Sequence, residues 1–265
     1  MGVKHCLYDW MNVWWRKRCE DTDLSQIRAI RVLDLACGSG EVTEALGDWI
    51  RTAYNHSKSP PKQILPNRPG TLRDWKRSPP PLSPNDLRIE VYPTDPYTAP
   101  AYEQRIHRTC ATLSFQDIAS GELPTSHFPL GSMGSVNDES VLPNTLPDGE
   151  SNQTEDEVDL PTEEHENIEP MNDSDNPHLE MAICSFALHL IETPSQLYGL
   201  LTELSQKTRW LVVIAPHKKP EIKSSWGWLQ WNLATWESTE MGSRDPGSEI
   251  LQERVHLRVY RSLNF

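Results

Sequence analysis

Arg31-Val32-Leu33-Asp34-Leu35-Ala36-Cys37-Gly38-Ser39-Gly40, running on into Glu41-Val42-Thr43-Glu44-Ala45-Leu46-Gly47-Asp48-Trp49-Ile50, decides how this chain is read. The apolar run from Arg31 to Ala36 predicts a short strand, and Cys37 to Gly40 stop it. Val42, Ala45, Leu46 and Trp49 then recur at helical spacing. A strand, a glycine turn and a helix in that order bring backbone amides close to a ligand, because Gly38 and Gly40 carry no side chain.

Working outward, Leu87–Tyr92, Ala111–Phe115 and Met181–Phe186 read as further strands, with helices over Ala101–Arg108 and Ser195–Gln206. Trp210–Ala215 is continuously apolar, as suits a parallel strand covered on both faces. Val255–Tyr260 alternates apolar and polar residues, the period of a half-exposed strand. Upstream, Tyr8–Glu20 predicts an amphipathic helix with Arg16, Lys17 and Arg18 near its carboxyl end. Strands alternating with helices indicate an α/β fold with a doubly wound, mostly parallel sheet. Residues 1–30 form a helical cap in this reading, and residues 31–265 the main domain.

Two inserts interrupt that domain, at 55–85 and 129–178. The first is Pro-rich and basic, and the second is acidic with a composition that predicts disorder. From Pro129 to Glu180 there are 15 Asp and Glu and no Lys or Arg, so the formal charge of -13 belongs to this segment and the remainder is about +2. Five cysteines without a C-x-x-C pair argue against a disulfide framework and against a zinc cluster. No apolar run reaches the roughly 18 to 20 residues of a membrane span, which points to the cytosol or nucleus and away from a membrane.

Asp34-Leu35-Ala36-Cys37-Gly38-Ser39-Gly40 resembles the first motif of class I S-adenosylmethionine-dependent methyltransferases, acidic-x-Gly/Ala-x-Gly-x-Gly. It departs from the dinucleotide fingerprint, lacking the third glycine. The resemblance covers about Arg31 to Pro216 outside the inserts and implies a seven-stranded sheet. It implies S-adenosylmethionine as cofactor, held by Asp34, Ala36, Gly38 and Gly40. A ribose-binding carboxylate is expected some 20 residues beyond the glycine turn. Asp95 lies 55 positions after Gly40, or 24 once the 31 residues of the first insert are set aside. By the same resemblance Asp117 meets the adenine, and Cys184 to His189 face the methyl donor and acceptor. The same residues also suit plainer roles: Asp34 as a strand-end carboxylate, the glycines as an ordinary turn, Asp95 as the start of an Asp-Pro turn.

His189 and His217 are the candidate bases, since each can exchange a proton near neutral pH, although methyl transfer from a sulfonium depends mainly on alignment. Lys218 and Lys219 are candidates for receiving an acceptor's phosphate or carboxylate. Trp10, Trp14 and Trp15, with Trp226, Trp228, Trp231 and Trp236, suit core packing first and a substrate cleft second. No Asn-Pro-Pro-Tyr or Asp-Pro-Pro-Tyr run follows the fourth strand, so the resemblance stops short of the amino-methylating enzymes that carry it. The acceptor stays open among RNA, a metabolite and a protein, with RNA slightly ahead. An activating or scaffold partner, or a catalytically silent methyltransferase-like subunit, is the rival reading.

Overall fold

A computed structural model describes residues 1–21, 29–58, 78–131, 178–240 and 245–265. These belong to one compact unit, while a second unit, Met133–Asn176, lies outside the described residues, as does the expected disorder of the acidic insert. The basic run 59–77 is likewise outside them.

The first helix, α1 (Gly2–Asp21), is longer than the sequence suggests. Its buried residues come in pairs four apart, Cys6 with Leu7, Trp10 with Met11, and Trp14 with Trp15, the stripe of a helix lying on a core. Strand β1 (Ala29–Leu35) leads through the glycine turn into α2 (Glu41–Lys58). Glu41 and Glu44 in the first turn of α2, and His56 and Lys58 in its last, complement the helix dipole. α2 therefore extends past the expected insert boundary at residue 55, and Leu82, near the far end of that insert, is buried with its amide bonded to the Ala53 carbonyl.

β2 (Arg88–Thr94), α3 (Ala99–Ile106), α4 (Phe115–Ala119) and β3 (Phe128–Leu130) follow. After them come β4 (Leu179–Ser185), α5 (Pro194–Lys207) and β5 (Thr208–Ala215). The chain ends with β6 (Trp228–Asn232), β7 (Glu237–Ser238), β8 (Ile250–Gln252) and β9 (Val255–Ser262). The fold is α/β, with a mixed nine-stranded sheet in the order β3-β2-β1-β4-β5-β9-β6-β7 and β8 paired to β9. Its centre, β2-β1-β4-β5, is parallel. β9 runs antiparallel to both β5 and β6. Nine strands replace the expected seven, because short β7 and β8 add to the far end.

Side chains alternate across this sheet as strand geometry requires. Val32, Ile183, Val212 and Val259 face α1 and α2; Leu33, Ala182, Leu211 and Tyr260 face α5. The helical cap is thus part of one core layer. Trp10 meets Trp210 edge-on at 5.7 Å and stacks on Trp236 at 6.2 Å, and Trp49 Nε1 donates to Asn12 Oδ1 at 2.9 Å. Core packing is where the first-helix tryptophans go.

The expected third strand over Ala111–Phe115 is corrected. Only Ala111 bridges β2, bonding to Pro93 and Asp95. Ser114 then caps α4: its Oγ accepts from the Asp117 amide while its own amide donates to Asp117 Oδ2 at 2.8 Å, a reciprocal box that turns the chain into helix. The strand that does pair with β2 is β3, antiparallel, matching Ile89 with Leu130 and Val91 with Phe128. Pro129 and Leu130, assigned to the acidic insert by composition, belong to this edge.

Candidate functional site

A cleft of about 1040 Å³ opens where β1, β2 and β4 end. The chain leaves β1 toward β2 on one side and returns to β4 on the other, so the strand ends diverge here and leave a crevice above the sheet. Four pieces of chain wall it: Ala36–Ser39, Asp95–Thr98, Leu113–Gln116, and parts of the segment after β4, chiefly Ser185–Ala187 and Leu190–Thr193.

Ala36 and Gly38 both line the cleft with left-handed backbone, φ 53° and 60°. A Cβ on Gly38 would meet only Glu41 Oε2, at 3.6 Å, so the glycine leaves its backbone bare toward the cavity. Gly40 has another task. Its φ is 93°, and a Cβ there would lie 2.5 Å from Ile106 Cγ1, so it lets α3 pack against the turn and does not line the cleft.

Asp95 holds this region together. Its Oδ1 accepts from the Tyr97 and Thr98 amides at 2.8 and 2.7 Å, and its Oδ2 accepts from the Gly38 amide at 3.1 Å. Thr98 Oγ1 donates to the Gly38 carbonyl at 3.1 Å, a second tie between the two walls. Burial disfavours the Asp95 anion, but the Thr98 and Tyr97 amides outweigh it and hold the carboxyl below its usual range. Three backbone amides and the Thr98 hydroxyl thus surround a carboxylate that also lines the cleft.

Asp34 is only 1% exposed and lies beneath the turn without lining the cavity. Thr43 Oγ1 donates to its Oδ2 at 2.6 Å and also meets Tyr102 OH at 3.0 Å, while Oδ1 has no partner among the described residues. Burial pushes the Asp34 carboxyl up to about 7, against the bond from Thr43. Asp117, expected at the adenine, is engaged in the α4 cap, and its bonds from Ser114 hold its carboxyl below the usual range. Leu113, Phe115 and Gln116 line the cleft in its place.

Cys184 is completely buried behind the wall, and burial pushes its thiol up to about 12. Its neighbours Ser185 and Phe186 reach the cavity instead. His189 lies in a short 3-10 turn, Leu188–Leu190, off the cleft, with Nδ1 buried and unpartnered among the described residues. His217 is exposed on the loop after β5 and does not line the cleft either. Neither histidine is thus placed as a base toward the cavity.

The sequence reading missed Tyr97, Phe115 and Glu192, whereas Phe186 falls within the expected run from Cys184 to His189. Tyr97 is 88% exposed and Leu190 66%, and with Phe186 they give the mouth an apolar rim. The cleft's charge is one-sided. Glu41, Asp95 and Glu192 line it, and among the described lining residues there is no Lys, Arg or His. Arg105 approaches from α3 but is bound to Glu41 and Glu44. Among the described residues no cluster of His, Cys, Asp or Glu is placed to share a metal ion, and no helix is long and apolar enough to cross a membrane.

No family model matches the chain. It is 34% identical over 267 residues to the Schizosaccharomyces pombe protein named "Uncharacterized protein C17A5.05c", a similarity that covers 99% of this chain and 82% of the relative. That extent of shared sequence takes in the glycine turn, both inserts and the closing strands, and the chain belongs to the same family as the fission yeast protein.

Proposed function

We propose that this protein is an S-adenosylmethionine-dependent methyltransferase. One observation carries the reading: the cleft joins the glycine turn to Asp95, and its walls present carboxylates without a cation. A dinucleotide's pyrophosphate needs positive partners or free helix amides, and here Glu41 and Glu44 occupy the first turn of α2. A neutral nucleoside joined to a sulfonium and a zwitterionic amino-acid end, with a single net positive charge, suits such walls better than a dianionic pyrophosphate. The volume is that of a site for a ligand of this size. The parallel centre of the mixed sheet, β2-β1-β4-β5, is compatible with the α/β architecture that the resemblance implies.

S-adenosylmethionine would supply an electrophilic methyl group on sulfur. In this reading the bare backbone of Gly38 admits the ligand, the Asp95 carboxylate on the cleft wall takes a ribose hydroxyl, and Phe115 packs against the base. Ser185 and Phe186, at the end of β4, border the acceptor side. With neither candidate histidine on the cleft, the residues contribute by alignment and by excluding water. RNA stays ahead of a metabolite or a protein as acceptor.

Calorimetric titration of the whole chain with S-adenosylmethionine and its demethylated product tests this. Saturable binding that is lost in Gly38→Val supports the reading, and absence of binding overturns it. A scaffold is the second reading. It is favoured by one observation, that three amides already occupy the Asp95 carboxylate; a scaffold would tolerate Gly38→Val with its partner binding intact.

A further inference from the structure

The loop after β5, Pro216-His217-Lys218-Lys219-Pro220, is exposed, yet a buried side chain is devoted to fixing its shape. Arg258, on β9 and 7% exposed, donates to the Lys218, Lys219 and Pro220 carbonyls at 3.0, 3.1 and 3.2 Å. Lys218 is tied back through Glu249 at 2.9 Å, and Glu249 also meets His256 at 3.0 Å. A guanidinium that saturates three successive carbonyls fixes the loop's backbone, from which His217 and Lys219 stand exposed.

The fixed loop continues into an aromatic step. Ile222 is buried against the core, which anchors the next turn, Ser224–Trp226. Lys223 Nζ lies 5.8 Å from the Trp226 ring centre, and Trp226 meets Tyr198 of α5 edge-on at 6.3 Å. Tyr198 stands half-exposed two residues from Gln196, which lines the cleft. On the other side, the Phe186 amide donates to the Ile214 carbonyl at 2.8 Å, so the loop leaves β5 beside the cleft's acceptor wall. Lys219 and Lys223 have no carboxylate in ion-pair contact among the described residues; the one acid between them is Glu221.

We propose that His217, Lys219, Lys223, Trp226 and Tyr198 form a binding platform for single-stranded RNA beside the cleft. Exposed cations would take phosphates, and the half-buried Trp226 ring with the half-exposed Tyr198 ring would take bases, the combination that holds single strands without reading their sequence. This deepens the methyltransferase reading, on which it rests for taking the strand as acceptor. It also assigns the two charges separate places: the acidic cleft holds a cationic donor, and the basic platform holds an anionic acceptor.

The test is fluorescence anisotropy of the full chain with a short fluorescein-labelled oligouridylate at several salt concentrations. Replacing both Lys219 and Lys223 with Ala is expected to weaken binding and to lower the slope of log affinity against log salt by about one per lysine. Trp226→Ala is expected to weaken it about five-fold or more, and Trp226→Phe to retain most of it, which separates stacking from misfolding. Failure of the wild-type chain to bind, or an unchanged slope in the double lysine variant, overturns the proposal. Equal displacement of the RNA by polyglutamate also overturns it, in favour of an acidic protein partner. Titration of the same variants with S-adenosylmethionine is expected to match wild type. RNA binding that responds to these substitutions in a chain that ignores the donor would sink the methyltransferase reading and leave the platform standing.

Discussion

The backbone amide of Gly38 donates to Oδ2 of Asp95 across 3.1 Å, joining two segments 57 residues apart in sequence into one wall of the cleft. The carboxylate is a structural anchor, and the proposed function adds a ligand contact to that role. Asp95→Ala strands three amides, at a cost of about 1–3 kcal/mol for each that stays dry. Thr98→Ala keeps the three amide bonds and removes the second tie, from Thr98 Oγ1 to the Gly38 carbonyl, together with the hydroxyl's support of the Asp95 carboxylate. If Asp95 also meets the donor, Asp95→Ala abolishes donor binding while Thr98→Ala weakens it slightly. Calorimetry and thermal melting on both variants check this. Equal donor affinity in the two would confine Asp95 to the anchor role.

The two glycines of the turn separate ligand access from packing. Gly40→Ala drives a methyl into Ile106 at a positive φ and is expected to cost about 1–3 kcal/mol in denaturant unfolding. Ile106→Ala, added to it, should return part of that loss. Gly38→Ala meets only the flexible end of Glu41 at an ordinary contact distance of 3.6 Å, so it costs mainly the left-handed strain, about 1–2 kcal/mol, and its main effect should fall on donor affinity. A larger stability loss at Gly38 than at Gly40 would contradict this division.

The same contrast shows what sequence could reveal. The strand, turn and helix around Gly38 were legible because each signal is local: an apolar run, glycines, then helical spacing. β6 was not, because its inward positions are Trp228, Gln230 and Asn232. Gln230 and Asn232 are satisfied by the Ser248 and Pro246 carbonyls, contacts that only the folded chain creates, so the period of two was hidden by polar residues facing in. The edge at β3 has three residues, too few to show a period. Among the site residues, spacing singled out Asp95, which lies on the cleft wall, whereas Asp117 does not line the cleft because its carboxylate is engaged with Ser114 in the helix cap, a local bond that a match of position in sequence does not reveal.

Asp34 should make stability fall as pH rises. Burial lifts its folded value to about 7 from an ordinary 3.8, so between those limits the folded state binds more protons than the unfolded chain. Stability from this group is therefore greatest below about pH 4, declines toward pH 7 and stays low above it. The full difference is on the order of 4 kcal/mol. Asp34→Asn keeps an acceptor for Thr43 and removes the titration. The difference in unfolding free energy between variant and wild type should grow in the variant's favour from pH 4 to pH 7.5. A constant difference across that range would mean that Asp34 is ionised throughout in the folded protein.

Trp10 gives the most direct measure of whether α1 belongs to the fold. Its ring is fully buried between Trp210 and Trp236, and Nε1 has no acceptor among the described residues. Trp10→Ala removes the packing and leaves a cavity, for an expected loss of about 3–5 kcal/mol. Trp10→Phe keeps most of the edge-on contact and removes an unsatisfied donor, so its loss should be well under half as large. Urea unfolding followed by far-ultraviolet circular dichroism measures both. Because α1 and α2 share one core layer, helix and sheet signals should disappear in a single transition, and an early separate loss of α1 signal would mark the helix as a detachable cap.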